Sequence, residues 1–142
     1  MKRYNIYIAA VILLFLTVVA CKKSNNTNID RTVANISGTY GLSALTWVYA
    51  GFTINVYDSL PACEKDNLIK LNTDLTANFI DAGTQCNPPE DSTGVWALSG
   101  DSLYIGGTAG KIKSYDGKTL VLTGTLDENG FQGTATTTLS KK

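Results

Sequence analysis

Six acidic residues fall in close pairs: Glu64 with Asp66, Glu90 with Asp91, and Asp127 with Glu128. Two carboxylates about 5 to 10 Å apart across a cleft would suit glycoside hydrolysis. Here the pairs lie in hairpin turns or beside a strand start, where solvated turn residues account for them. Asp81, Glu90 and Asp91 could offer oxygens to calcium with loop carbonyls, but their spacing matches no known calcium loop. The chain has no histidine, so the commonest general base and metal ligand is missing. No enzymatic activity and no cofactor are expected. The aromatic residues are more suggestive. Trp47, Tyr49, Tyr57, Trp96, Tyr104 and Tyr115 could wall an apolar ligand site, or could simply fill core and surface.

The N-terminus carries an address. Met1-Lys2-Arg3 is a short positive start, and Ile6 to Ala20 is apolar apart from Thr17. That run is too short for a transmembrane helix of about 20 residues and fits the apolar region of a signal peptide. It ends Val18-Val19-Ala20-Cys21, which resembles the bacterial lipobox, with Val18 where leucine is preferred. By that resemblance residues 1–20 are removed and Cys21 carries lipid. Several acyl chains, each methylene contributing about 0.8 kcal/mol, would hold the protein to a membrane. Residues 21–35 read as a flexible polar tether, because nothing in them offsets the entropy of ordering. Residues 36–142 form the domain.

Cys63 and Cys86 remain, and in an oxidising envelope they most simply pair. The loop they would close is worth about 3 to 4 kcal/mol in the chain-entropy account. Losing Lys2 and Arg3 from twelve basic residues leaves ten against twelve acids, a net charge of −2. No basic face is available to neutralise phosphates, so nucleic acid is not an expected partner.

The elements that must position these residues are strands. Alternation with turn punctuation runs from Ser37 to Leu139. Tyr40, Leu42, Ala44, Thr46 and Val48 fall on one face of a long first strand, with Trp47 and Tyr49 on the other. Phe52, Ile54 and Val56 follow. Leu68 to Leu71 is a short strand, Asn72-Thr73-Asp74 a turn, and Leu75, Ala77 and Phe79 line the return. Asp81 to Ser92 is a loop. Val95 to Leu98, Leu103 with Ile105, and Ile112 between two lysines continue the pattern. Asp116-Gly117 and Asn129-Gly130 are hairpin turns. Leu120, Leu122 and Leu126 share a face, as do Phe131, Ala135 and Leu139. The fold expected is all-β: an antiparallel up-and-down meander closed into a barrel of about eight strands, since closure removes exposed edges. A two-sheet sandwich is the alternative.

The stretch from Cys63 through Leu68-Ile69-Lys70-Leu71-Asn72-Thr73-Asp74-Leu75-Thr76 to Cys86, and then Gly94-Val95-Trp96, resembles the central hairpin of lipocalin-like lipoproteins of the Bacteroidetes type. Gly38-Thr39-Tyr40 resembles that family's Gly-x-Trp opening, with Tyr40 in place of Trp. The resemblance covers residues 36 to 139 and implies a small lipocalin-like barrel. The domain has no arginine beyond Arg31 and no Thr-Asp-Tyr motif, so no ligand-binding residue of the lipocalins is carried over.

The function expected is therefore a lipid-anchored binding module of the cell envelope that takes a small hydrophobic molecule. The alternative is a non-catalytic protein-interaction or inhibitor module with a filled barrel. Lys22 and Lys23, in place of acidic residues after Cys21, favour an outer-membrane anchor facing the periplasm over surface display. Asp58-Ser59-Leu60, Asp91-Ser92-Thr93 and Asp101-Ser102-Leu103 resemble O-glycosylation sites of exported Bacteroidetes proteins, which makes Ser59, Ser92 and Ser102 candidates for modification.

Overall fold

The computed structural model describes residues 29–128 and 131–142. The signal segment, Cys21, the first part of the tether, the Asn129-Gly130 turn and the side chains of Glu128 and Phe131 lie outside the described residues.

Nine strands follow one another in the described chain: β1 (Gly38–Tyr49), β2 (Phe52–Asn55), β3 (Leu68–Leu71), β4 (Thr76–Ile80), β5 (Ser92–Ser99), β6 (Ser102–Ile105), β7 (Thr108–Tyr115), β8 (Thr119–Glu128) and β9 (Phe131–Lys141). Short helices α1 (Val33–Ile36) and α2 (Ala62–Lys65) and a 3-10 turn (Tyr57–Ser59) complete them. Every pairing is antiparallel. Strands β3 to β9 pair in sequence, and β1 bridges β3 and β9, so eight strands close a barrel. The ninth, β2, stands outside the ring. The start of β1, Gly38 to Gly41, pairs with β3, while its end, Thr46 to Tyr49, pairs with β2. Beyond β3, then, β1 has only this short hairpin arm on that side.

The turns form for identifiable reasons. Asp116 Oδ1 accepts from the amides of Lys118 at 2.9 Å and Thr119 at 2.6 Å, and Gly117 takes φ +90°. Asp74 Oδ1 accepts from the amide and hydroxyl of Thr76 at 3.0 and 2.6 Å. These bonds stabilise the ionised carboxylates and hold both below the ordinary aspartate range.

Because turns alternate between barrel ends in a meander, the β3–β4, β5–β6 and β7–β8 turns share one end with the start of β1 and the end of β9. That end is closed. Ile36, Tyr40, Leu71, Trp96, Tyr115 and Leu120 are buried there and belong to one core cluster. The Tyr40 hydroxyl donates to the Ile36 carbonyl at 2.6 Å, Tyr115 to that of Asn35 at 2.5 Å, and Trp96 Nε1 to that of Asn72 at 2.8 Å. Each large ring thus buries its apolar body and still satisfies its polar atom.

Three expectations are corrected. The alternation along β1 slips at a bulge between Leu42 and Ala44. An extra residue reverses every later side chain, so Leu45, Trp47 and Tyr49 continue the inner face of Tyr40 and Leu42, while Thr46 and Val48 face outward. Leu75 does not line β4. It sits in the preceding turn at φ +69° and is 40% exposed. The tether does not run to residue 35. Ile29 and Val33 pack against the core, Thr32 caps α1, and Arg31 pairs with Asp101 in the β5–β6 turn. The signal for this was present in the spacing of Ile29, Val33 and Ile36, at i, i+4 and i+7, obscured by the polar residues between.

Candidate functional site

The other end of the barrel holds a cavity of about 530 Å³. Ligand pockets commonly measure about 300 to 1,000 Å³. Small inner residues on β8 and β9 contribute to it. On β9 the inward residues run Gly133, Ala135, Thr137, Leu139 toward the closed end, and across from them on β8 stand Leu126, Gly124, Leu122 and Leu120. Small residues near the open end leave room that an eight-stranded barrel would otherwise fill. Gly124 has only the Ala109 carbonyl near the position a Cβ would take, at 3.6 Å.

The inner surface of the cavity is apolar: Ile69, Phe79, Leu103, Ile105, Leu122 and Leu139. Thr137 adds a methyl and a hydroxyl on β9, while Thr123 and Thr125, whose side chains alternate outward, border the cavity through their backbone. Glu64, Asn67, Glu90 and Ser92 stand opposite, contributed by α2, the start of β3 and the end of the 81–91 loop. Among the described residues no lysine or arginine lines the cavity.

That loop is built around Asp81, which is 7% exposed. Both its carboxylate oxygens accept from the Cys86 amide, at 3.1 and 3.0 Å, and one also accepts from the Glu90 amide at 3.1 Å. Asp91 accepts from the Asp81 amide at 3.0 Å, and Asp66 from the Thr84 amide at 2.8 Å. The Cys63–Cys86 disulfide joins α2 to the same loop, with 5.2 Å between Cα atoms. The acids considered for calcium or hydrolysis thus divide by task. Asp66, Asp81 and Asp91 hold backbone, while Glu64 and Glu90 face the cavity. Among the described residues no group of three or more His, Cys, Asp or Glu is arranged to hold a metal ion.

The six aromatics expected at the ligand site do not line the cavity. Trp96 and Tyr115, 1% and 3% exposed, pack the closed end, because rings of that size fill a small barrel where the inner faces converge. Trp47 and Tyr49 share the cavity's face but lie farther along β1, opposite Ile54 and Phe52 of β2. Tyr57 sits in the 3-10 turn with the Lys65 ammonium 5.6 Å from its ring centre. Tyr104 alternates outward on β6 and is 42% exposed. The residues that do line the cavity were legible as strand-face aliphatics, but nothing in their types separates a hollow face from a filled one. Of the candidate serines, Ser59 and Ser92 are exposed and Ser102 is half-buried.

A family model for a lipocalin-like domain matches residues 36–126. No curated protein and no solved structure matches the chain. With an eight-stranded antiparallel ring, a closed foot, a hollow upper half and a match over most of its length, the chain belongs to the lipocalin-like domain family.

Proposed function

We propose that the barrel carries a small hydrophobic molecule and that lipid on Cys21 holds it to the outer membrane, facing the periplasm, as in lipoproteins of the Bacteroidetes type. The cavity carries this reading. It is large enough for a small ligand, apolar inside and polar on one flank, which is the usual division between affinity and orientation. No catalytic step is proposed.

Native mass spectrometry of the full chain recovered from its host envelope tests the proposal. A mass of a few hundred daltons that leaves on denaturation supports it. A bare protein mass, unchanged after incubation with envelope lipid extract, would sink the carrier reading. The covalent mass from the same sample reports lipid on Cys21 and any sugar on Ser59 or Ser92.

One observation favours the second reading, a protein-interaction module. Phe52 and Ile54 on the β1–β2 hairpin are 74% and 51% exposed, and apolar side chains grouped in the open are a common mark of contact surfaces. Cross-linking in the host envelope through the position of Phe52, yielding one discrete partner band, would support it.

A further inference from the structure

The polar flank of the cavity is one-sided in its chemistry. Glu64 and Glu90 line it and, among the described residues, no cation does. The nearest lysine in sequence, Lys65, is turned away, its ammonium donating to the Asp58 carbonyl at 3.0 Å and lying over Tyr57. Among the described residues the Glu64 carboxylate makes no hydrogen bond or ion pair, and the one ion pair is Arg31 with Asp101, a contact of the opposite end. Glu90 accepts only a long bond, 3.3 Å, from the Asn67 amide nitrogen. That bond fixes the Asn67 side chain with its nitrogen toward Glu90, and its Oδ1 is buried without a partner. That oxygen is enclosed by protein, so the charged groups the flank presents to the apolar chamber are two carboxylates.

We propose that the ligand is an amphiphile with a donor-bearing head, a primary ammonium in its simplest form, seated against Glu64 and Glu90 while its hydrocarbon fills the cavity. The proposal rests on the cavity being a ligand site and adds the class of ligand. A carboxylate head is excluded by the same residues that attract an ammonium, since two like charges would face it in a partly desolvated site. An ammonium supplies three donors and no acceptor, and so suits a wall whose charged groups are both carboxylates.

Displacement of a neutral fluorescent hydrocarbon probe from the full chain, with dodecylamine, dodecanol and dodecanoate each below its micelle concentration, tests this. Dodecylamine should displace the probe at about a tenfold lower concentration than dodecanol, with dodecanoate weakest and the amine's advantage shrinking in high salt. In Glu64→Gln/Glu90→Gln the ratio of amine to alcohol should fall toward one. Dodecanoate matching or beating dodecylamine would overturn the head-group assignment while leaving the cavity reading intact. An undiminished amine preference in the double variant would overturn the placement of the head. Failure of the probe and of all three compounds to bind would overturn the cavity reading, and this inference with it.

Discussion

The two ends of this barrel are made from the same strands and solve opposite problems. At the foot, Tyr40, Trp96, Tyr115 and Leu120 converge with Ile36, and each ring hydroxyl or indole nitrogen finds a backbone carbonyl. At the mouth, the inner residues shrink to Gly133, Ala135 and Gly124, and order comes from a disulfide and the buried Asp81. The packed end supplies the cooperative core. The hollow end gives up part of that packing, and its loops are held by bonds that do not depend on filling the middle. A strand can thus contribute stability at one end and capacity at the other, with side-chain volume as the variable.

The sharpest way to break this division is to exchange the treatments of the two ends. Trp96→Ala should cost about 3–5 kcal/mol in urea unfolding, because it empties the foot and strands the Asn72 carbonyl. Ala135→Phe, which adds a ring at the mouth, should cost less than about 1 kcal/mol, below the usual penalty for overpacking a filled core, and should abolish probe binding. Equal destabilisation by the two changes would mean that the barrel is not divided as described. Next in size is the disulfide. Replacing Cys63 and Cys86 by serine should lower stability by about 3 kcal/mol. Hydrogen exchange should then rise first in residues 81–91 and not in the β7–β8 turn.

The foot should also set an alkaline limit. Burial, followed by the hydrogen bond and charge proximity of Tyr115, pushes the Tyr40 hydroxyl above its ordinary 10.0. The neutral form is the one the fold prefers. Its contribution is complete below about pH 10 and is lost as pH rises further. Tyr40→Phe should flatten stability in that range, as read by thermal melts at rising pH. The smallest effect is expected at the tip of the arm. Ala50 and Gly51 take φ +48° and +84° between the paired residues Tyr49 and Phe52, a turn that favours Asn-Gly. Ala50→Asn should stabilise by about 0.5–1 kcal/mol, and a loss of stability would show that the arm is held by something other than its turn.

Much of the architecture was legible because local chemistry and global fold agree. Asp116-Gly117 forms its hairpin, Leu68 to Leu71 is a strand, and Ile112 turns inward between Lys111 and Lys113. What was not legible has a physical reason in each case. The β1 bulge is silent because the residues on both sides of it are apolar enough to suit either face. Leu75 in a left-handed turn violates local preference and is held by its neighbours, its amide donating to Asn72 and its carbonyl accepting from Trp96. The cavity was hidden because hollowness depends on how inner residues of different strands meet. Of the two roles open to the aromatics, Trp96 and Tyr115 take that of core filling, since large rings close a small barrel more readily than they line an opening.

The segment from Ile29 to Ile36 lies across the foot, pinned by Arg31 to the β5–β6 turn and by Ile29 against Gly117. Whatever precedes Ile29 therefore joins the barrel at its base. A protein fastened through Cys21 would be tied from its closed end. The β1–β2 arm, at the opposite end of the barrel, would then be among the parts of the rim farthest from the point of attachment.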